Sequence, residues 1–333
     1  MNKSQLISII ITNWNGKKWL KKCLDSLQRQ TYKNFEIIFV DNASTDNSIN
    51  FVKKNYPLVK IIKNKKNYGF SKGNNIGIKN SSGELILLLN NDTWVEKNFL
   101  EQLYLQYIES PIDVISAYES DYFKSKKILK IRDYIITIDP LGQMLYLKKN
   151  EKNNLKKDFY LNGCCLLFSR KLYLETKGLD NDFFMYCEDT DWFWRLNLLN
   201  KKFAYANKTY IYHAVGGSSG HGLNYYKFLW INQNNLQMIL KNYNFITLLF
   251  ILPIYIIENI FEIIFLLIIL KPKIASSYIE GWLYNLKILP KTLKKRRYIQ
   301  STRKVSDLEI MKKMYFGIAK IYNFNSYLKF IKK

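Results

Sequence analysis

The chain is predicted to be an α/β protein: a single domain on a doubly wound, mostly parallel sheet, followed by a helical, hydrophobic and basic C-terminal extension. Three observations carry that prediction. Short aliphatic runs alternate with helix-spaced apolar patterns from the first residues onward. Two of those runs stop abruptly in polar residues, one at Asp41 and one at Asn90-Asn91-Asp92. Past residue 222 the alternation ceases, and an apolar stretch leads into a lysine-rich tail. At 333 residues the chain has room for one α/β domain of about 200–250 residues and an appendage, which places the expected division between 1–222 and 223–333.

The first strand is 6–11; this six-residue run, apolar but for Ser8, is too short for a signal-peptide core, so export by that route is not expected. Trp19, Leu20, Cys23, Leu24 and Leu27 recur at helical spacing, which predicts a helix over 17–30. Strand two, 35–40, ends at Asp41. Asn42 to Asp46 is turn and cap chemistry, and the helix it opens turns Ile49, Val52 and Tyr56 inward before Pro57. A third strand, 59–62, follows. Gly69, Gly73 and Gly77 then share one face of a short helix, a face able to pack closely on the sheet or to receive a ribose or diphosphate. Leu85–Leu89 is aliphatic throughout, as a strand buried on both faces requires. Phe99, Leu100, Leu103 and Tyr107 mark another helix, 114–138 reads as irregular short strands, and 159–170 as a strand interrupted at Asn162-Gly163. A helix is expected to open at Glu188, and strands at 203–206 and 210–212 lead to His213.

The formal charge of +24 coexists with overuse of Lys, Ile and Asn throughout, so it does not by itself mark a nucleic-acid surface, and no nucleic-acid partner is expected. Its distribution is more telling. Residues 271–333 hold sixteen Lys or Arg against three acids, a net +13, directly after a greasy segment. That arrangement favours an anionic membrane surface. The segment 245–270 is long enough to span a bilayer, but Pro253, Glu258 and Glu262 interrupt it, and the two glutamates share a helical face. One or two amphipathic helices lying in the interface are therefore expected, reinforced by Lys291, Lys294, Lys295, Arg296, Arg297, Trp282 and Tyr284; a buried helical layer is the ordinary alternative. Cys23, Cys164, Cys165 and Cys187 contain no C-x-x-C pair, which fits a reduced, cytoplasmic setting.

Carboxyl ends of parallel strands face the ligand crevice, so Asp41 and Asp92 are both offered to a ligand. Asp92, flanked by amides with no Cys or His beside it, suits a hard cation, Mg²⁺ or Mn²⁺, carrying phosphate oxygens; the alternative is a solvated loop or helix cap. Asp41 can accept the imide N–H of a uracil or thymine ring, or merely cap a turn, although Asp46 is better placed for the cap. Glu188, Asp189 and Asp191 crowd three carboxylates into four residues; one can serve as general base, or the three can form an acidic first helical turn. His213 is read as a neutral imidazole ligand to the same cation or as a hydrogen-bonded core residue. His221, in a glycine-rich loop, has no assigned role.

In order, Ser8 to Asn15, Val40 to Asp46, Asn67 to Gly77, Leu89 to Asp92 and Tyr186 to Asp191 resemble the motifs of the family-two inverting glycosyltransferases of A-type fold, particularly the rhamnosyltransferase-like branch. The resemblance implies that Thr12 and Asp41, with Asn13, Asn67, Gly73 and Asn91, bind the nucleotide. It implies Asp92 as the metal ligand with His213 joining it, and Asp189 as the catalytic base beside Glu188. Asn90 stands where the family's Asp-x-Asp motif often has its first acid, leaving fewer formal charges to hold the ion. The expected partners are a nucleotide-sugar donor (UDP- or dTDP-linked), a glycan or polyprenyl-linked acceptor and the inner face of the cell membrane; self-association is left open. Two rivals are a sugar nucleotidyltransferase, whose glycine- and arginine-rich phosphate loop is missing from 11–16, and a non-catalytic membrane scaffold, which would bind no divalent metal.

Overall fold

Strands buried on both faces need unbroken apolar runs, and three of them lie side by side and parallel: β1 (Ile7–Asn13), β2 (Phe35–Asp41) and β4 (Leu85–Leu89). The structure, a computed structural model, describes residues 4–121, 134–149, 155, 157–214 and 224–322. β3 (Lys60–Lys63) extends the sheet beyond β2. On the other side of β4 come β9 (Cys165–Ser169), β6 (Val114–Asp121), β10 (Phe203–His213) and β5 (Thr93–Val95), giving the order β3-β2-β1-β4-β9-β6-β10-β5. β9 runs antiparallel to both neighbours and β5 antiparallel to β10, while the remaining four pairings are parallel, so the sheet is mostly parallel, as expected, with an antiparallel minority. Residues 203–206 and 210–212 belong to one strand. The irregularity between them is a bulge whose Asn207 and Lys208 N–H groups both reach Gln106 Oε1, at 2.9 and 3.3 Å.

This sheet and the helices α1 (Lys17–Gln28), α2 (Ser48–Asn55), α3 (Gly69–Lys79), α4 (Phe99–Glu109) and α5 (Arg170–Thr176) make one compact unit, drawn from Met1–Asp133, Leu161–Phe184 and Lys201–Gly220. The glycine face of α3 packs on the sheet: a Cβ at Gly77 would lie 2.4 Å from the Ile10 Cγ2. Arg170 holds the other end of that helix, donating to the Ile78 and Ser81 carbonyls at 3.0 and 2.9 Å.

A second unit contains the hairpin β7 (Tyr134–Ile138) and β8 (Met144–Lys148) with α6 (Glu188–Leu198), α7 (Tyr225–Asn242), α8 (Phe245–Ile268), α9 (Pro272–Thr302), α10 (Asp307–Met311) and α11 (Ala319–Tyr322). α7 packs along α9, and Arg296 of α9 caps α7 by donating to the Leu240 carbonyl at 2.6 Å. Asn244 caps α8, accepting from the Thr247 N–H at 2.8 Å. α8 continues unbroken through Pro253. Its two glutamates do not line an outer polar face: Glu258 and Glu262 turn inward to Lys320, at 2.8 and 2.9 Å. Every exposed residue of α8 is apolar, Leu249, Phe250 and Phe261 among them. His221 and residues 122–133, part of the stretch read as irregular strands, lie outside the described residues.

Candidate active site

Antiparallel pairing sets Thr93 of β5 opposite His213 of β10, and that register brings His213 beside Asp92. The loop is held from both sides: Asn90 N–H donates to the Cys164 carbonyl at 2.9 Å, and Ala214 N–H to the Asp92 carbonyl at 3.0 Å. His213 Nε2 then lies 3.3 Å from Asp92 Oδ1, while its Nδ1 lies 2.8 Å from Glu119 Oε2. Burial disfavours a charge on the ring, but hydrogen bonds to the two carboxylates outweigh it and push its pKa up to about 10. Glu119, although buried, is held below the ordinary carboxylate range by His213 and Asn162. Glu119, Cys164 and His213 present ligand atoms within 4.8 Å of one another. The Asp92 and His213 pair fits a divalent cation: one carboxylate oxygen and one imidazole nitrogen converge where the ion would take the place of the ring proton.

Around the ends of β1 and β2, side chains are tied to one another. Asn13 is fully buried; its amide donates to Asp41 Oδ1 at 3.2 Å and Ser44 Oγ at 3.0 Å, and its Oδ1 accepts from Asn91 at 2.6 Å. Asp41 Oδ2 accepts from the Ser44 N–H at 2.8 Å, so the enclosed carboxylate organises the 41–46 turn, with Ala43 and Asn47 at positive φ. Asn67 Oδ1 receives the Gly69 N–H at 2.9 Å. A Cβ at Gly73 would meet the Thr12 Cγ2 at 2.7 Å. Thr12 Oγ1 is buried without a hydrogen-bond partner, a hydroxyl poised to take one.

The three acids of α6 belong to the second unit and meet three environments. Asp191 is wholly buried and structural: Arg195 Nε and Lys241 Nζ each approach it at 3.0 Å, and the Asn242 amide at 3.1 Å. Glu188 is buried with Oε2 unpartnered, and burial together with the adjacent Asp189 charge raises its pKa to about 8. Asp189 is more accessible, and its Oδ1 accepts from the Thr190 N–H at 2.7 Å, at a helix N-terminus that favours negative charge. The turn leading in is strained: Tyr186 and Cys187 both have positive φ (69° and 62°), and Asn234 pins it by donating to the Met185 and Tyr186 carbonyls at 2.9 and 2.8 Å.

Residues 8–176, just over half the chain, match the family described as glycosyl transferase family 2. The chain belongs to that family. GlyA, a glycosyltransferase of Streptococcus pneumoniae, is 35% identical over 112 residues, which are 32% of this chain and 16% of GlyA. WfaP of Escherichia coli, a UDP-Glc:α-D-GlcNAc-diphosphoundecaprenol β-1,3-glucosyltransferase, is 29% identical over 200 residues, 59% of this chain and 71% of WfaP. Among solved structures, the mannosyltransferase PcManGT from Pyrobaculum calidifontis, in complex with GDP-Man and Mn²⁺, superposes with a TM-score of 0.52 at 13% identity, covering 99% of this chain and 84% of that one. The likeness establishes the A-type α/β fold.

Within this family-2 chain, Asn13 links Asp41 to Asn91, and the next residue along, Asp92, meets His213. Glu119 and Ser44 were not singled out in the sequence. Ser44 lay in plain view inside the turn; Glu119 sits in the 114–138 stretch, where nothing but alternation marked a strand.

Proposed function

We propose that the chain is an inverting glycosyltransferase of the rhamnosyltransferase-like branch, moving a hexosyl or deoxyhexosyl group from a UDP- or dTDP-sugar to a polyprenyl-linked glycan at the cytoplasmic face of the membrane, in surface polysaccharide synthesis. The observation that carries this reading is the side-by-side placement of Asp92 and His213 in a family-2 chain. The diphosphoundecaprenol-linked acceptor of WfaP supports a lipid-linked acceptor here. Thr12, Asn13, Asp41, Asn67, Gly73 and Asn91 are proposed to bind the nucleotide, and Asp92 and His213 to hold Mn²⁺ or Mg²⁺, the imidazole favouring Mn²⁺. When bound there, the ion would supply positive charge against the negative charge developing on a departing diphosphate.

On the acceptor side, Asp189 takes the hydroxyl proton, and Glu188, kept protonated by burial, leaves the charge on its neighbour. Residues 1–222 are assigned to donor binding and catalysis. Residues 223–333 are assigned to membrane association, through the apolar face of α8. A panel of nucleotide sugars assayed with Mn²⁺ identifies the donor. Asp189→Asn should cut transfer by about 10²–10⁴-fold while calorimetry finds nucleotide affinity nearly intact. Transfer at the parent rate would remove Asp189 as the base, and no uptake of divalent ion in the titration would favour a non-catalytic scaffold.

A further inference from the structure

We propose that Glu119 is a positioning residue: it fixes the ring of His213 so that Nε2 is presented to the cation, without itself being a ligand. This rests on the reading of Asp92 and His213 as the ion's ligands. An imidazole offers a metal its lone pair only at the nitrogen without a proton, and the acceptor beneath the other nitrogen decides which that is. Glu119 Oε2 lies 2.8 Å from Nδ1, while Nε2 is the nitrogen facing Asp92, at 3.3 Å. A carboxylate can only accept there, so the proton stays on Nδ1.

The sheet builds this arrangement. β6 and β10 run parallel with Glu119 opposite Ile211, two residues before His213, so Glu119 and His213 project from the same face. Glu119 is fixed in turn. The Asn162 amide donates to its Oε1, and the Cys164 thiol also hydrogen-bonds to the carboxylate. With these bonds both oxygens of Glu119 already hold donors, Oε2 that of the His213 ring, and Cys164 Sγ is a soft donor unsuited to Mg²⁺ or Mn²⁺. Neither group replaces Asp92.

The test is a titration of the full chain with Mn²⁺ alone, following the free aquo-ion by electron paramagnetic resonance, for the parent, Glu119→Gln, Glu119→Ala and His213→Gln. Both Glu119 variants should bind Mn²⁺ about 10–100-fold more weakly, Ala at least as weakly as Gln. In the Mg²⁺-loaded parent, nitrogen NMR should find the His213 proton on Nδ1 alone, and in Glu119→Ala on either nitrogen. Glu119→Gln preserves volume, so it decides the matter should the Ala variant fail to fold. Parent-like Mn²⁺ affinity in Glu119→Gln, alongside a loss in His213→Gln, overturns the proposal and leaves Glu119 a structural anchor. Parent-like affinity in His213→Gln instead overturns the ligand assignment beneath it.

Discussion

Glu188 and Asp189 are neighbours in sequence and opposites in circumstance, and the difference has a measurable pH signature. Glu188 is raised from an ordinary 4.5 to about 8 because the folded chain buries it beside another carboxylate. Between those two values the native state holds a proton that the unfolded chain has released. The stability associated with that proton is therefore complete below about pH 4.5 and lost as pH rises through 8. Glu188→Gln, neutral at every pH, should melt near the parent at pH 5 and above it at pH 8.5, by roughly 2–4 °C for each kcal/mol regained. Equal melting curves at pH 8.5 would mean that Glu188 finds a compensating partner. At this scale the sequence was most legible where a side chain ends a strand, as Asp41 and His213 do, or closely follows one, as Asp92 follows Leu89, because strand ends are set by the apolar runs before them. It was least legible for Asp191, whose acid looks like its neighbours until Lys241, fifty residues on, is seen to bury against it.

That ion pair belongs to the element scale, since it joins α6 to α7. Asp191→Ala would take from the buried Lys241 ammonium, 1% exposed, the carboxylate 3.0 Å away, and the expected cost is about 3–5 kcal/mol in urea unfolding. Asp191→Leu with Lys241→Met should recover most of it. The packing of α3 on β1 and β2 gives a contest between two effects. Alanine is a better helix former than glycine by up to about 1 kcal/mol, but a methyl at Gly77 would sit 2.4 Å from the Ile10 Cγ2 and 2.9 Å from the Val40 Cγ2. Overpacking of this kind costs about 1–3 kcal/mol, so Gly77→Ala should destabilise on balance, and adding Ile10→Ala should relieve the clash. The glycine spacing predicted a close approach and left open what approached; the packing partner is the sheet. Strand direction was less readable. A buried aliphatic strand reads the same in either sense, so nothing in 165–169 announced that β9 would run against β4.

For the whole molecule, charge and greasiness meet in the C-terminal helices. α9 carries exposed Lys287, Lys291 and Lys294 and half-buried Lys295, spaced along one helical stripe, and α8 offers an exposed face with no polar residue on it. At about 1 kcal/mol per basic side chain at an anionic surface, replacing the four lysines by glutamine should weaken sedimentation with phosphatidylserine-containing vesicles roughly a hundred- to thousand-fold. Raised salt should imitate the change in the parent. Undiminished binding would assign the attachment to α8 alone. The sequence announced this extension through composition, but it did not show that the glutamates of α8 turn inward, because the Lys320 that receives them lies about sixty residues downstream.

All four thiols are free and enclosed, and burial pushes every one of them well up from the ordinary thiol range. A maleimide at neutral pH therefore meets almost no thiolate on the native chain. A single cysteine installed at Leu249, which is 57% exposed, would take up a fluorophore selectively, with no need to strip the natural four first. Quenching that dye from the lipid phase or from the water would then read immersion depth directly.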